Sequence, residues 1–148
     1  MHAQHMQRAL DEAKRALELG EVPVGAAVVC GDEVIALAHN ERETTGDPTA
    51  HAEVLAIRRA AKKLGRRRLN GCTLYVTLEP CPMCAGAIVM SELDSVYYGA
   101  ADRQAGCAGS VYALPEDPAF GKKIPCSGAL LEAPCQKIID SFFKERRA

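Results

Sequence analysis

The spacing of hydrophobic positions along the chain alternates between helix-like and strand-like, and its order predicts helices interleaved with strands. Glycine- and proline-containing turns separate the four helices and four strands of this prediction. The predicted helices cover residues 2–19, 50–65, 83–93 and 131–147. The predicted strands cover residues 24–29, 33–38, 73–78 and 96–98.

Turn-forming residues indicate how these elements end and connect. Gly65 follows the last apolar position of the second helix and favours a left-handed helix end. Gly31-Asp32 suits the backbone of a tight hairpin, so we expect the first two strands to be antiparallel. The third and fourth strands are joined through a helix, which is the kind of connection that parallel strands need. We also expect Asp47 or Thr49 to cap the second helix.

This order of elements predicts an α/β fold, with a central sheet and helices on its faces. A chain of 148 residues with 48% hydrophobic and 25% charged residues can bury about 70% of the surface that its unfolded form exposes. A core of that size needs neither disulfides nor a structural metal. No repeat, linker or low-complexity tract interrupts the sequence, so we expect a single domain over residues 1–148.

Several classes of protein are excluded by composition. The longest apolar runs, such as residues 26–30 and 85–90, are far shorter than the roughly 20 residues that span a bilayer. The first residues also lack the basic and apolar segments of a secretory signal. We therefore expect no membrane association and a cytoplasmic location.

Seven cysteines cannot all pair within one copy, so free thiols or metal ligands are expected.

Cys81-Pro82-Met83-Cys84 stands where the third predicted strand gives way to the third helix. Both thiols would lie near the positive end of the helix dipole, where thiol pKa values fall. The spacing alone fits a redox pair, half of a structural zinc site or two packed cysteines. The other cysteines lack this spacing, and we expect them to be buried as small apolar side chains. They are Cys30, Cys72, Cys107, Cys126 and Cys135.

A second motif, His51-Ala52-Glu53, begins the preceding helix. Because helical side chains lean toward the N-terminus, two helix starts can direct His51, Cys81 and Cys84 to one ion. Three protein ligands with a fourth position left for water is the usual arrangement of catalytic zinc. Glu53 can then take a proton from that water and pass it to a substrate nitrogen, as hydrolytic deamination requires. The two motifs together match His-x-Glu…Pro-Cys-x-x-Cys, the known signature of zinc-dependent nucleobase deaminases.

Each motif residue also has an ordinary structural interpretation. His51 alone is more simply a core histidine, and Glu53 alone is an acid favoured by the dipole of its first helical turn. The joint spacing, and the position of both motifs at predicted helix starts, favours the metal site. The sequence therefore predicts Zn²⁺ bound by His51, Cys81 and Cys84, with Glu53 as the catalytic proton carrier.

Beyond these motifs, similarity to one family runs over nearly the whole chain. The stretches that carry it are residues 21–26, 39–40, 47–53, 73–86, 106–110 and 140–144. On these stretches the chain resembles the tRNA-specific adenosine deaminases of the cytidine deaminase superfamily. The resemblance implies a three-layer α/β/α sandwich around a mixed five-stranded sheet and one zinc ion per subunit. It also implies a homodimer that converts the wobble adenosine of a tRNA anticodon loop to inosine.

The resemblance further implies roles for residues outside the metal motifs. The flipped nucleoside would contact Asn40 and a pocket formed by residues 24–26, and a loop and the last helix would hold other parts of the tRNA. Asn40 also has a simpler interpretation, as a turn residue whose amide bonds locally. The substrate-binding residues implied in this way are Val24, Gly25, Ala26, Asn40, Asp102, Phe143 and Arg146.

Charge supports an RNA partner only indirectly. The net charge is −1, but residues 58–68 contain seven basic residues and no acidic one. A local excess of positive charge attracts phosphate, although such a run is commonly just the solvated face of a helix. The basic clusters that are candidates for phosphate contacts are residues 66–68, 122–123 and 144–147.

Two other functions remain open from the sequence. A deaminase of a free base or nucleoside, such as guanine, cytosine or cytidine, would use the same metal site. A zinc-stapled RNA-binding module without catalysis would need Glu53 only as an acid at a helix start.

Overall fold

A computed structural model describes residues 1–147, with residue 147 described by its backbone alone. The helices are α1 (His2–Glu18), α2 (Arg42–Thr45), α3 (Ala52–Leu64), α4 (Pro82–Ser91) and α5 (Glu132–Arg147). The strands are β1 (Gly25–Cys30), β2 (Glu33–His39), β3 (Cys72–Leu78), β4 (Ser95–Ala100) and β5 (Cys126–Ser127). All eight predicted elements are present with ends within two residues of the prediction, whereas α2 and β5 were not predicted. Across residues 1–147, no helix combines the length and apolarity needed to cross a membrane.

The strands form one mixed sheet in the order β2-β1-β3-β4-β5. β1 is antiparallel to both β2 and β3, and Gly31 turns the β1–β2 hairpin with a left-handed φ of 64°. β3, β4 and β5 are parallel, and α4 makes the crossover between β3 and β4. The expected α/β/α sandwich around five strands is thus confirmed.

Interior strand β1 is apolar at successive positions because both of its faces are covered. Ala26 and Val28 pack in the cluster that includes α3 and α4, while Ala27 and Val29 pack in the cluster that includes α1 and α5. A strand covered on both faces cannot alternate between apolar and polar residues, because both sets of side chains are buried. The sheet is therefore a buried platform, and chemistry is confined to its ends.

The start of α3 is not capped as the sequence suggested. The carboxylate of Asp47 accepts hydrogen bonds from the backbone and hydroxyl of Thr49, which forms a local turn before the helix. The N–H of Ala52 instead donates to the side-chain oxygen of Asn40, at 2.9 Å. The capping prediction was wrong because the cap comes from the end of β2, which is adjacent only in the folded chain.

Gly25 is the point of closest approach between α1 and the sheet. A Cβ at this position would overlap the carbonyl oxygen of Ala9 and lie 2.5 Å from the backbone nitrogen of Ala13. Both obstacles are backbone atoms of a helix, so no side-chain rotation can relieve the clash. α1 can therefore lie against β1 only when residue 25 is glycine.

We expect Gly25→Ala to lower the free energy of unfolding by about 3 kcal/mol, because the added methyl pushes α1 away from the sheet. Gly20→Ala is the matched control. Its φ of 78° disfavours alanine, but nothing lies within 4 Å of the added carbon, so a loss of about 1 kcal/mol is expected. Urea denaturation of both variants tests the difference, and equal losses would contradict the packing argument.

Candidate active site

Two helix starts converge at the carboxyl end of β3. His51 is the N-cap residue of α3 and Cys81 is that of α4, and both have extended backbone. Pro82 occupies the first turn of α4, where a missing N–H costs nothing. Cys84 follows within the first turn of α4. The sequence thus brings the imidazole and both thiols to one place through the geometry of two helix N-termini.

The spacing of these three side chains fits a tetrahedral metal ion. The Nδ1 atom of His51 lies 3.5 Å from the Sγ atom of Cys81 and 3.4 Å from that of Cys84. All three donor atoms lie within 4.8 Å of one another. Zinc bonded to sulfur at about 2.3 Å and to nitrogen at about 2.0 Å would hold tetrahedral N and S ligands about 3.6 Å apart. The three donors therefore suit one ion and leave a fourth position for a non-protein ligand.

Hydrogen bonding within the triad separates the two thiols. The bond from Cys84 lowers the pKa of Cys81 to about 4, and the bond to His51 acts in the same direction. The same pairing with Cys81, together with burial, raises the pKa of Cys84, while Cys81 raises the pKa of His51. Cys81 is consequently ready to bind a cation as a thiolate.

Glu53, the second residue of α3, is buried beside the triad with 4% of its surface exposed. Burial raises the pKa of its carboxyl group to about 7, because the charged form loses its hydration. A carboxyl group that titrates near neutrality can both accept and donate a proton. Its position and its pKa suit the proton carrier predicted from the sequence.

A cavity of about 220 Å³ opens directly onto this cluster. Six of the residues predicted for the site line it: Val24, Asn40, His51, Glu53, Cys81 and Asp102. Five further residues that were not predicted also line it: Val22, Arg42, Leu78, Glu79 and Ala105. The cavity therefore brings together two of the three metal donors, the proton carrier and a wall formed by three separate chain segments, while the fully buried Cys84 does not line it.

Asn40 links these segments through both ends of its side chain. Its amide oxygen accepts from Ala52 at the start of α3, and its amide nitrogen donates to the carbonyl of Val22, at 3.1 Å. The local turn interpretation of Asn40 is thus incorrect, since both bonds reach other elements. Asn40 fixes the start of α3, and with it His51 and Glu53, relative to the wall at Val22.

Two predicted pocket residues lie elsewhere. Gly25 faces α1, and the side chain of Ala26 is fully buried in the core beneath α3. Neither lines the cavity, so of residues 24–26 only Val24 does. Alternation along the chain puts Gly25 on the opposite face from Val24, whereas Ala26 shares the face of Val24 but is covered by the core that also contains Val28.

A second cavity of about 500 Å³ adjoins the first, and the two share Val22, Asn40 and Arg42. The last helix reaches it through Arg146, whose guanidinium lies 4.5 Å from the ring centre of Phe142 and donates to the carbonyl of Gly20. Phe143, which was predicted as a tRNA contact on the last helix, packs edge-on against Phe142 and does not line this cavity. Phe142 lines it instead.

Two buried acids escaped the sequence-based prediction. Glu79 lines the first cavity and Glu21 lines the second, and each is 2% exposed or less. Each accepts hydrogen bonds from the backbone of a neighbouring loop or short helix rather than from a basic side chain. The available signal was an acid placed beside a proline and an apolar run, in Glu21-Val22-Pro23 and Leu78-Glu79-Pro80.

Two of the three basic clusters lie far from the cavity. Residues 66–68 follow the C-terminus of α3, whose 13 residues put them about 20 Å from His51. Arg68 pairs with Glu92 at 3.0 Å, and Lys122 pairs with Asp94 at 3.2 Å. Only the cluster on α5, which includes Arg146, borders the cavities.

Comparison with known proteins identifies relatives that span almost the whole chain. The MafB19-like deaminase family matches residues 1–147. The tRNA-specific adenosine deaminase of Bacillus subtilis (strain 168) is 48% identical over 143 residues, which are 97% of this chain and 89% of the relative.

Solved structures agree with this assignment. A structure from a study of A-to-I editing by tRNA:A34 deaminases at the wobble position is 41% identical, with a TM-score of 0.87 over 91% of this chain and 98% of that one. A guanine deaminase from Bacillus subtilis is 43% identical but covers 68% of this chain and 65% of its own, with a TM-score of 0.66. The chain therefore belongs to the tRNA-specific adenosine deaminase family and also matches the MafB19-like deaminases over residues 1–147.

Proposed function

We propose that this protein deaminates the wobble adenosine of a tRNA anticodon loop to inosine, with zinc as its cofactor. The observation that carries the proposal is a buried carboxyl group, Glu53, next to three metal donors at the inner end of a cavity of about 220 Å³. The net reaction adds water at C6 of adenine and releases ammonia. This substrate also implies a cytoplasmic location.

The donor set is the basis for choosing zinc. One imidazole and two thiolates are typical ligands of Zn²⁺, and three protein ligands are typical of its catalytic sites. When bound, zinc supplies the nucleophile by lowering the pKa of a coordinated water to about 7. His51, Cys81 and Cys84 would bind the ion.

Glu53 carries the proton transfers. As a carboxylate it accepts a proton from water, and as a carboxylic acid it delivers that proton to N1 of adenine. Glu53 then takes the remaining proton of the hydroxyl group added at C6 and passes it to the amino group, so that the C–N bond breaks, ammonia leaves and C6 becomes a carbonyl. Since burial already holds the pKa of Glu53 at about 7, both forms are available at neutral pH.

The two adjoining cavities suit a nucleotide in a single-stranded loop. The smaller one accepts the adenine between Val24 and the metal donors, since a base in a loop costs little to extrude. The larger one is lined by the guanidinium groups of Arg42 and Arg146 as well as by two carboxylates, and the guanidinium groups can donate hydrogen bonds to the phosphates that continue the strand. An isolated base would use only the first cavity.

A deaminase of free purines is the second candidate, and the 43% identity to a guanine deaminase supports it. The tRNA substrate is favoured because the tRNA-specific relative from Bacillus subtilis is 48% identical over 97% of this chain, whereas the match to the guanine deaminase covers 68% of it. Arg42 and Arg146, which line the second cavity, would also have no phosphate to contact if the substrate were a free base.

We also infer that two copies associate through α4. This helix has no charged residue, yet Met83 and Met90 are 37% and 75% exposed. An apolar groove of about 420 Å³ runs beside it, between Met90 and the Ile57 side of α3. A helix that is apolar on every side is normally buried, and a second copy of the same face would cover it.

Incubation with total tRNA, followed by nucleoside analysis, should detect inosine at the wobble position of one or more tRNAs. Glu53→Gln should reduce the rate by about 10²–10⁴-fold while zinc content stays at the wild-type level, because the amide cannot carry the proton. Ammonia release from free guanine or cytidine, but not from a minimal anticodon stem-loop, would indicate the free-base enzyme. Tight RNA binding without inosine at full zinc occupancy would indicate the non-catalytic module.

Cys84→Ala should remove the metal, since two protein ligands cannot hold zinc as tightly as three. Elemental analysis of the purified protein should show close to one zinc per chain for the wild type and little for the variant. Cys30→Ala, which alters a cysteine outside the triad, should keep its zinc. Equal zinc in all three proteins would contradict the assigned ligands.

Met90→Glu should convert the dimer to a monomer, because a charge in the centre of an apolar interface loses its hydration. Sedimentation equilibrium at several concentrations measures the mass. Leu19→Glu, which changes an exposed leucine at the end of α1, should leave the mass unchanged. A dimeric Met90→Glu protein would show that α4 is not the interface.

A further inference from the structure

Glu79 is a buried acid without a basic partner. It follows β3, precedes Pro80 and Cys81, and is only 2% exposed. None of the ion pairs found in residues 1–147 involves it. A buried carboxylate is costly unless hydrogen bonds replace its hydration, so the groups that bond to it explain why it is tolerated.

Those groups all come from one loop. The N–H groups of Asp102, Ala108 and Ser110 donate to the carboxylate at 3.0, 3.1 and 2.8 Å, and the Ser110 hydroxyl donates as well. Both oxygens of the carboxylate are used. Residues 102–110, which we call the 102–110 loop, are therefore tied at both ends to a single side chain.

The loop lies against the strand end with no space between them. A Cβ at Gly106 would overlap the carboxylate of Glu79, and the N–H of Cys107 donates to the carbonyl of Pro80, at 2.8 Å. Asp102 closes the near part of the loop by accepting from the N–H groups of Gln104 and Ala105. These contacts fix the loop in one position, in which the carboxylate of Glu79 is the central contact.

The position of the loop against Glu79 determines one wall of the cavity. Asp102 and Ala105 of the loop line the cavity together with Glu79 itself. Cys81, a metal donor, is only two residues farther along the chain. One short segment thus fixes both a metal donor and the wall that a nucleotide would meet.

We propose that Glu79 is a positioning residue, whose carboxylate holds the 102–110 loop where it contacts the nucleotides next to the reacting adenosine. The proposal rests on the proposed function for its substrate. Glu79 itself takes no part in proton transfer. It acts through the loop, so its loss weakens RNA binding more than it slows the chemical step.

Glu79→Gln tests this with almost no change in size. Four donors converge on the carboxylate, which only accepts, whereas an amide replaces one acceptor oxygen with an N–H donor. Two of the four donors would then face the amide NH₂ group of glutamine, and the loop would move away from residue 79. Glu12→Gln is the matched control, because Glu12 is also a buried acid but lies on α1 and pairs with Arg15.

With an anticodon stem-loop as substrate, Glu79→Gln should raise KM by about 10-fold or more and change kcat by less than about twofold. Zinc content should be unchanged. Glu12→Gln should leave KM at the wild-type value. If Glu79 had only a structural role, Glu79→Gln would lower zinc content or stability and would not raise KM alone.

A second readout follows the loop directly. In ¹⁵N-labelled protein, the amides of Asp102, Ala108 and Ser110 should exchange with solvent at least about 10-fold faster in Glu79→Gln than in the wild type. Ser110→Ala removes the hydroxyl donor but keeps the carboxylate, so it should raise KM by about threefold. In the double variant that combines Glu79→Gln with Ser110→Ala, KM should be no higher than in Glu79→Gln alone, because the hydroxyl has already lost its acceptor.

The outcomes separate the two proposals. A wild-type protein that makes no inosine overturns the proposed function, and amide exchange then decides alone whether Glu79 holds the loop. An active wild type with unchanged KM in Glu79→Gln overturns the positioning role. Should Glu79→Gln fail to fold, Ser110→Ala decides, and an unchanged KM in that variant overturns the role equally.

Discussion

The site depends on the meeting of two helix N-termini at the end of one strand. β3 delivers Cys81 to the start of α4, and Asn40 holds the start of α3 beside it through its bond to Ala52. Because His51 and Glu53 occupy the first positions of α3, this one side-chain bond orients both. The positive ends of two helix dipoles also favour the thiolate and carboxylate forms that the chemistry uses.

Burial makes that arrangement chemically useful. Water would stabilise the charged form of Glu53 and keep its pKa near that of an ordinary glutamate, whereas the dry interior raises it to about 7. The sheet and its two helical layers supply the dry interior. The polar walls are then held by bonds to buried acids: Glu79 fixes the 102–110 loop, and Glu21 fixes α2 by accepting from the backbone and hydroxyl of Thr44.

Local pattern was enough to predict the long helices and strands and the metal motif, because each depends on residues close together in sequence. Features that depend on distant residues could not be read in this way. The cap of α3 comes from Asn40, twelve positions upstream, and Gly25 is needed because of α1. Basic residues 66–68 looked suited to RNA until the length of α3 put them at its far end.

The way the 102–110 loop is fixed has a consequence for how such enzymes diverge. Three of its four bonds to Glu79 come from main-chain N–H groups, which any residue other than proline provides. Side chains between the anchors, such as the exposed Arg103 and Gln104, can therefore be exchanged without moving the metal donors. Substitutions at these exposed loop positions can therefore change which RNA sequences are recognised, while the residues that carry the deamination chemistry stay the same.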